Sequence, residues 1–280
     1  AKLRPMAARI PFCKAYREII AQSYLSGYAT LDLNITYDSK QGTIVKGPVK
    51  IARLNYKSPT YPLTFKNIIA DLNIDKDLIT INHFQGYAYN PKYGEEKARN
   101  YVEARGSFNL AKLGSCDLEI AAPKIDAQTL VDSGIIELIN NKSTIKFASG
   151  ELKNIFITIK SNPSNNGYII DGKIDVNSVN VAVTEGLKLS NVKGSLGLSN
   201  NRLKFDGLNF TLNKNSVIAL DGSINQDLTQ PGFKLKANQL NFVEFINLFD
   251  PSHEKLKINP ISGNVDADVE FRTKELYGNL

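Results

Sequence analysis

The sequence predicts an all-β protein, an antiparallel meander of repeated hairpins with a few short helices. Three observations support this prediction. Apolar and polar residues alternate along most of the chain, short polar turns separate the alternating stretches, and one hairpin sequence occurs twice. Because successive side chains of a strand point to opposite sides, the alternation gives each predicted strand one apolar and one polar face.

The repeated hairpin is "NIIADLNIDKDLITINHFQG", residues 67–86, and it returns as "NVKGSLGLSNNRLKFDGLNF", residues 191–210. Leu72 and Leu196 are separated by 124 positions, and the same shift aligns the other apolar residues of the two hairpins. The polar residues between them differ. Repetition of one supersecondary unit is therefore the organising feature of the chain.

A second pair of matching segments follows the hairpins. Gly106 in "ARGSFNL" aligns with Gly222 in "LDGSIN" at a shift of 116, because the first copy has the longer loop "YNPKYGEEKARN". A third copy begins at "ISGNVDADVEF". We therefore predict a short helical N-terminal segment at 1–25, a first β repeat at 26–147, a second at 148–260 and the truncated start of a third at 261–280.

The remaining elements follow in chain order. Besides the two hairpins, period-two alternation predicts strands at 29–35, 102–110, 116–120, 155–159 and 168–176. Turns such as "SNN", "NKNS" and "NPSNNG" join neighbouring strands as antiparallel hairpins. Helices that close the repeats are predicted at 12–25, 126–139 and 241–249.

Composition excludes several classes of function. The 280 residues carry a formal net charge of +6, but Lys and Arg are scattered singly, so the pattern does not indicate nucleic-acid binding. The longest apolar runs are far shorter than the roughly 20 residues of a membrane helix. Neither an initiating Met nor a signal-peptide pattern is present, and we expect the chain to be a piece of a longer protein.

The sequence contains no pattern typical of an enzyme. His83, in a predicted hairpin turn, and His253 have no partners at the spacing of a metal site or a catalytic triad. Asp71, Asp75 and Asp77 alternate with apolar residues and mark a polar strand face. P-loop, GxSxG and HExxH patterns are absent. We therefore expect no enzymatic activity, no metal and no cofactor.

The two cysteines indicate neither a zinc site nor a redox motif, because Cys13 and Cys116 lie far apart and no CxxC occurs. A long-range disulfide between them would require an oxidising compartment. Cys116 lies in the alternating stretch "CDLEIAA", which favours a small buried apolar residue.

The predicted apolar face needs a cover, because wide sheets twist and then curl or split. A second sheet would give a sandwich, closure would give a barrel, and partial curling would give a trough that holds something apolar. Sequential hairpins favour a ribbon of neighbouring repeats, and an aliphatic face without Trp suits a fluid chain. These features favour the trough, although a closed protein core would show the same alternation.

The order of the segments resembles the repeating unit of a known family. The hairpins "PLTFKNIIADLNIDKDLITINHFQG" and "GLKLSNVKGSLGLSNNRLKFDGLNF" are each followed by "ARGSFNL" or "LDGSIN", and then by "LEIAAPKIDAQTLV" or "LKANQLNFVEFINLF". From 27 to 271 this pattern of apolar and Gly positions is similar to the AsmA-like superfamily of bacterial envelope proteins, which includes the YhdP and TamB types. The resemblance implies a β-taco, in which the antiparallel meander curls into an open U-shaped groove.

The same resemblance implies a function and a location. The chain would be a periplasmic segment of a bridge-like lipid-transfer protein of a Gram-negative bacterium, anchored to the inner membrane in the full-length protein. It would shield the acyl chains of its phospholipid cargo between the inner and outer membranes, with other segments contacting the membranes and other envelope proteins as partners. The alternative is a structural or adhesive β-repeat protein of the sandwich type, without lipid cargo.

We expect inward-facing apolar residues to bind the acyl chains. They are Leu31, Leu33, Ile35, Leu72, Ile74, Ile79, Ile81, Phe108, Leu118, Ile120, Ile157, Ile159, Ile170, Ile174, Leu196, Leu198, Leu203, Phe205 and Leu235.

Overall fold

The structure is a computed structural model that describes most of the chain. The described residues are 24–40, 42–57, 63–91, 100–111, 115–132, 147–162, 167–184, 187–199, 202–213, 216–225, 232–241 and 264–272. Within these ranges the chain forms fourteen strands and one short helix.

The strands and the helix have the following bounds: β1 (Tyr24–Leu31), β2 (Asn34–Asp38), β3 (Gly42–Lys57), β4 (Thr64–Asp75), β5 (Leu78–Tyr89), β6 (Asn100–Asn109), β7 (Cys116–Asp126), α1 (Ala127–Asp132), β8 (Phe147–Asn162), β9 (Gly167–Thr184), β10 (Leu187–Ser199), β11 (Arg202–Leu212), β12 (Ser216–Asn225), β13 (Gly232–Asn241) and β14 (Asn264–Arg272).

The chain divides into two compact units. The first unit consists of Ala1–Leu138 and Asn154–Ile170, and the second of Ile139–Lys153 and Asp171–Leu280. In the first, the strand order is β1-β3-β4-β5-β6-β7, with β2 pairing to β3; in the second it is β9-β10-β11-β12-β13-β14. These pairings are antiparallel, and the described order closes into a barrel in neither unit. The predicted all-β antiparallel meander is therefore confirmed.

The helix predictions have mixed outcomes. The prediction at 126–139 is confirmed as α1 over Ala127–Asp132 but is wrong at Asp126, which ends β7, and residues 133–139 lie outside the described ranges. The prediction at 12–25 is wrong at Tyr24 and Leu25, which begin β1, and that at 241–249 is wrong at Asn241, which ends β13. Their remaining residues lie outside the described ranges. In the described part of the chain, no helix is long and apolar enough to span a membrane.

The predicted strand at 29–35 is interrupted between β1 and β2. Both strands pair with β3, and the Asp32 N–H donates to the Pro48 carbonyl (3.2 Å) at the break. A side chain at Gly47 would overlap the Asp32 carbonyl oxygen, so the two backbones approach more closely than an ordinary strand pair permits. The interruption follows from this close approach, which alternation alone does not reveal.

A hydrogen-bond chain joins the first three consecutively paired strands of the first unit. Asn55 on β3 donates through Nδ2 to Ser26 Oγ on β1 (3.3 Å) and accepts through Oδ1 from the Asn67 N–H on β4 (3.2 Å). Asn67 has a φ of +50°. Asn tolerates this left-handed conformation better than most residues, so the choice of Asn at position 67 favours the bulge there.

The second unit contains the same hydrogen-bond chain. Asn180 on β9 donates to Ser149 Oγ on β8 (3.3 Å) and accepts from the Asn191 N–H on β10 (3.0 Å), and Asn191 has a φ of +54°. The repeat therefore begins before the hairpin found in the sequence. Strands β1 and β3 to β7 correspond to β8 to β13.

Each repeat also ends in a similar way. Asn100 at the start of β6 accepts through Oδ1 from the Asp126 N–H at the end of β7 (2.7 Å). Ser216 at the start of β12 accepts through Oγ from the Asn241 N–H at the end of β13 (3.1 Å). Both acceptors are buried. Because a buried polar atom without a partner costs free energy, each bond stabilises the contact between the start of one strand and the end of the next strand in its repeat.

Glycine is needed where the repeats place Gly106 and Gly222. Their φ angles are +131° and +126°, and a Cβ at either position would overlap a carbonyl oxygen, that of Asp117 or of Gly232, on the next strand. Both positions combine a backbone conformation that L side chains rarely adopt with a very close approach. This explains why the two copies both keep glycine although their polar residues differ.

Replacement of Gly106 by Val should destabilise the first unit strongly. The new Cβ would overlap the Asp117 carbonyl and the residue would be held at positive φ, so we expect a loss of about 3 kcal/mol in the free energy of unfolding. Urea unfolding followed by far-UV circular dichroism measures this loss. The control is Gly207→Asn, since Gly207 has a φ of +56° and open space around its Cα. Equal stability of the two variants would contradict the interpretation.

Candidate functional site

One face of the first unit carries apolar side chains in rows that run across the strands. Leu72 on β4 lies opposite Val49 on β3 and Ile81 on β5. Ile81 in turn lies opposite Gly106 on β6, which lies opposite Leu118 on β7. Directly opposed residues of antiparallel strands share a face, so these residues form one row across five strands.

Two further rows flank this one on the same face. One contains Ile74, Ile79, Phe108 and Cys116. The other contains Ile51, Ala70, Phe84, Ala104 and Ile120. The apolar face is therefore continuous along and across the strands of this unit.

A bulge in β5 maintains the face. Ile81 pairs with Leu72, but His83 pairs with Asp71 and Phe84 with Ala70, so one extra residue is inserted between Ile81 and Phe84. The bulge keeps both apolar side chains on the same side of the sheet. It also places His83 within a strand, exposed on the polar face, so the prediction of a turn at His83 is wrong.

The second unit has equivalent rows. One row crosses strands β9 to β13, and each of its residues lies opposite the next: Ile174, Leu196, Phe205, Gly222 and Phe233. A second row places Leu198 opposite Leu203, and Leu203 opposite Ile224. Leu235 lies opposite Leu220 in a third row.

The predicted lining residues differ in their exposure. Leu31 (42% exposed) and Ile35 (61%) are open to solvent, whereas Ile74, Ile157 and Leu235 are buried. The others are half-buried: Leu33, Leu72, Ile79, Ile81, Phe108, Leu118, Ile120, Ile159, Ile170, Ile174, Leu196, Leu198, Leu203 and Phe205. Most of the predicted lining residues are therefore neither fully buried nor fully exposed to solvent.

Part of the face is covered by the protein itself. Val45, Val49 and Ile74 form a buried cluster, and Leu33 on the segment between β1 and β2 packs against it. Ile74 is therefore in contact with neighbouring side chains of the first unit. An apolar ligand would contact the half-buried rows beyond this cluster instead.

The end of the face near α1 carries buried polar groups. Asn100 donates through Nδ2 to Thr129 Oγ1 on α1 (2.9 Å), and Asn90 donates to Asp132. Ala88 beside them is buried, and Val102 on β6 is half-buried.

The opposite end of the same strands is partly covered. Ile79 and Phe108 there are half-buried, whereas Ile74 in the same row is buried. Leu78, which is 42% exposed, precedes Ile79 in β5, and its side chain therefore lies on the polar face.

Cys116 is the one ionisable side chain in the rows described for the first unit, and it is a free thiol. Burial among apolar neighbours raises its pKa, although a hydrogen bond with Ser161 opposes this effect. Its Sγ lies 3.7 Å from the Ile159 carbonyl oxygen. In the described ranges, no group of three or more His, Cys, Asp or Glu residues is placed to hold a metal ion.

The sequence-based prediction missed part of the lining. Val49, Ile51, Phe84 and Phe233 lie in the rows but were not predicted. Apolar and polar residues alternate in "VKIARL". The left-handed conformation of Arg53 then shifts the register of β3, so the alternating pattern does not continue along this strand. The extra residue in the β5 bulge likewise shifts the alternation, so strict period two does not place Phe84 on the same face as Ile81.

Comparisons of the chain with protein-family models, curated proteins and solved structures gave no match. The resemblance to the AsmA-like superfamily therefore stays a prediction.

Cys116 should react slowly with a thiol reagent in the folded protein. Because its raised pKa lowers the thiolate fraction near pH 8, alkylation by iodoacetamide in a Cys13→Ser variant should be several-fold slower than in the urea-unfolded chain. The rate should also rise with pH to a midpoint above that of the unfolded chain, which separates the pKa effect from restricted access. An unshifted midpoint would contradict burial of the thiol.

Proposed function

We propose that this chain shields the acyl chains of phospholipids along its apolar face, as a periplasmic segment of a bridge-like lipid-transfer protein. The observation that carries the proposal is the set of continuous, half-buried aliphatic rows on one face of each unit. A closed core would bury such rows fully. The rows retain a surface that an apolar ligand can remove from water.

The driving force is the hydrophobic effect. Burial of apolar surface stabilises by about 0.8 kcal/mol per methylene, so an ordinary acyl chain could gain on the order of 10 kcal/mol from such a face. That gain offsets much of the cost of removing the chain from a membrane. Aliphatic and phenyl side chains such as Leu72, Ile81 and Phe205 supply this contact without polar anchors.

The composition of the rows favours movement of the cargo. Among their described side chains, Cys116 alone carries a titratable group, so no fixed charge holds a lipid at one position. Contacts with one row resemble those with the next row. A lipid could therefore pass between rows over small barriers within each unit.

The buried hydrogen bonds near α1 suggest how a lipid is oriented in the first unit. Acyl chains would lie on the half-buried rows of β5 to β7, and the polar head group would remain in water near the turn between β4 and β5. That turn carries Asp75, Lys76 and Asp77, and Lys46 forms an ion pair with Asp75 (2.8 Å). The buried polar bonds near α1 disfavour the reverse orientation.

The resemblance to the AsmA-like superfamily supports the location included in this proposal. In that family's arrangement, the chain would connect the inner and outer membranes of a Gram-negative bacterium. An anchor in the inner membrane and contacts with both membranes would come from other segments of the protein. Envelope proteins would be its partners.

A structural or adhesive β-repeat protein is the second candidate function. It would use the same alternation, and Val45, Val49 and Ile74 show that part of the face is covered by protein. Its dry sandwich form requires a second sheet over each apolar face. Lipid extraction from the purified protein distinguishes the two functions, since bound phospholipid is expected only for the carrier.

Acidic substitutions on the rows should prevent lipid binding. Leu196→Asp with Leu198→Asp places two charges on the half-buried face of β10, where an acyl chain cannot compensate their desolvation. We expect at least about a fivefold decrease in phospholipid that co-purifies with the protein, with little change in far-UV circular dichroism. Mass spectrometry of extracted lipid provides the measurement.

The matched control is Asn177→Asp with Asn238→Asp. It adds the same charge to exposed positions on the polar face of the second unit, and lipid should stay bound. Loss of the fold in the Leu196 and Leu198 variant alone would instead identify a closed core. Absence of lipid from the unsubstituted protein would contradict the carrier function.

A photocrosslinker should distinguish the two faces directly. Incorporation of p-benzoylphenylalanine at Phe108, on the apolar rows, should give crosslinks to phospholipid in intact cells. Incorporation at Tyr87, which is 37% exposed on the polar face, should not. Equal lipid labelling at both positions would show that the apolar rows are not the lipid site.

A further inference from the structure

The polar face of the first unit contains a cavity of about 370 Å³. It lies on the side of the sheet opposite to the apolar rows. Its lining includes His83 on β5, Glu103 and Arg105 on β6, Glu119 and Ala121 on β7, and Phe156 on β8.

Local sequence creates the space. Glu103 lies opposite Ala121, whose methyl group leaves room between longer side chains. Phe156 is 46% exposed and lines the cavity with its phenyl side chain. The β5 bulge moves His83 to the side of the cavity. The result is an apolar wall beside a group of charged side chains.

Glu103, Arg105 and Glu119 together give the cavity one negative charge. Arg105 forms an ion pair with Glu119, and Glu103 accepts a hydrogen bond from the Tyr101 hydroxyl (2.7 Å). That bond raises the pKa of Tyr101, as expected beside a carboxylate. Glu103 keeps a second oxygen with which to accept from a ligand.

The internal repeat shows that the sheet does not need this arrangement. In the second copy, the cross-strand pair Arg105 and Glu119 is replaced by Asp221 and Lys234, which reverses both charges. Ala219 occupies the position of Glu103. The apolar rows nevertheless persist in both copies. The charges of Glu103, Arg105 and Glu119 are therefore specific to the first copy and have no part in forming the apolar face.

We propose that this cavity binds a lysine or arginine side chain presented by a partner protein. The methylenes of that side chain would pack on Phe156 and Ala121, while its cation would bind the carboxylates of Glu103 and Glu119. The exposed phenyl face adds a cation–π contact. The volume suits one long basic side chain with its neighbours, and the negative charge of the cavity selects a cation.

A titration with a minimal probe tests this proposal. N-acetyl-arginine N-methylamide, added at constant ionic strength, should shift the backbone amide NMR signals of Glu103, Ala121 and Phe156. The uncharged citrulline analogue should not shift them. Glu103→Gln should weaken binding of the arginine probe by about fivefold, because it removes a charge-assisted hydrogen bond at an exposed position.

The control variant is Asp221→Asn, which removes the carboxylate at the position of Arg105 in the second copy. It should change the affinity by less than about twofold. Equal shifts with citrulline, unchanged affinity in Glu103→Gln, or no shift of the three amides at about 100 mM probe would each overturn the proposal. None of these outcomes depends on lipid binding, so the two proposals are tested separately.

Discussion

The structure depends on one constraint, the placement of apolar side chains on a single face of every strand. Hydrogen bonding between neighbours satisfies the backbone but leaves that face in contact with water. In each unit the described strands form consecutive antiparallel pairs, and cross-strand rows such as Leu72, Ile81 and Leu118 remain half-buried. Because exposed apolar area is unfavourable in water, such rows are stabilised by whatever covers them. In the proposed function, acyl chains would provide this cover without requiring a unique fit.

Bulges and glycines maintain the face over many strands. Each register shift would move apolar side chains to the wrong side of the sheet unless a compensating residue were inserted. The β5 bulge before Phe84 provides such a residue, and Gly106 and Gly222 allow backbones to approach where a side chain would overlap a carbonyl. Bulges also increase local twist, which favours curling over a flat sheet. The residues on the polar face do not have to meet these requirements of register and close backbone approach. The two copies of the repeat differ most at those positions.

Features of the fold and the site that depend on nearby residues could be predicted from the sequence, whereas features that depend on residues far apart in the chain could not. The hairpins of β4 to β5 and β10 to β11 follow from alternation and short turns, which are local signals, and most of the predicted lining residues lie on the rows. Strand β3 contributes Val49 and Ile51 to the same rows, but the left-handed Arg53 shifts its register. The hydrogen bonds of Asn55 and Asn180, which extend the repeat to β1 and β8, join residues too distant in the chain to be seen as a pattern.

The sequence by itself determined the strand faces, the hairpin repeat and the all-β class, because side-chain alternation and turn chemistry act over a few residues. Tertiary structure decided how exposed each apolar residue is. Ile74 and Ile79 lie on neighbouring strands and share a row, yet Ile74 is buried under Leu33 and its neighbours while Ile79 is half-exposed. It also decided that Glu103 and Phe156 line one cavity. Both outcomes depend on which distant strands become neighbours, and on the bulges that set their register.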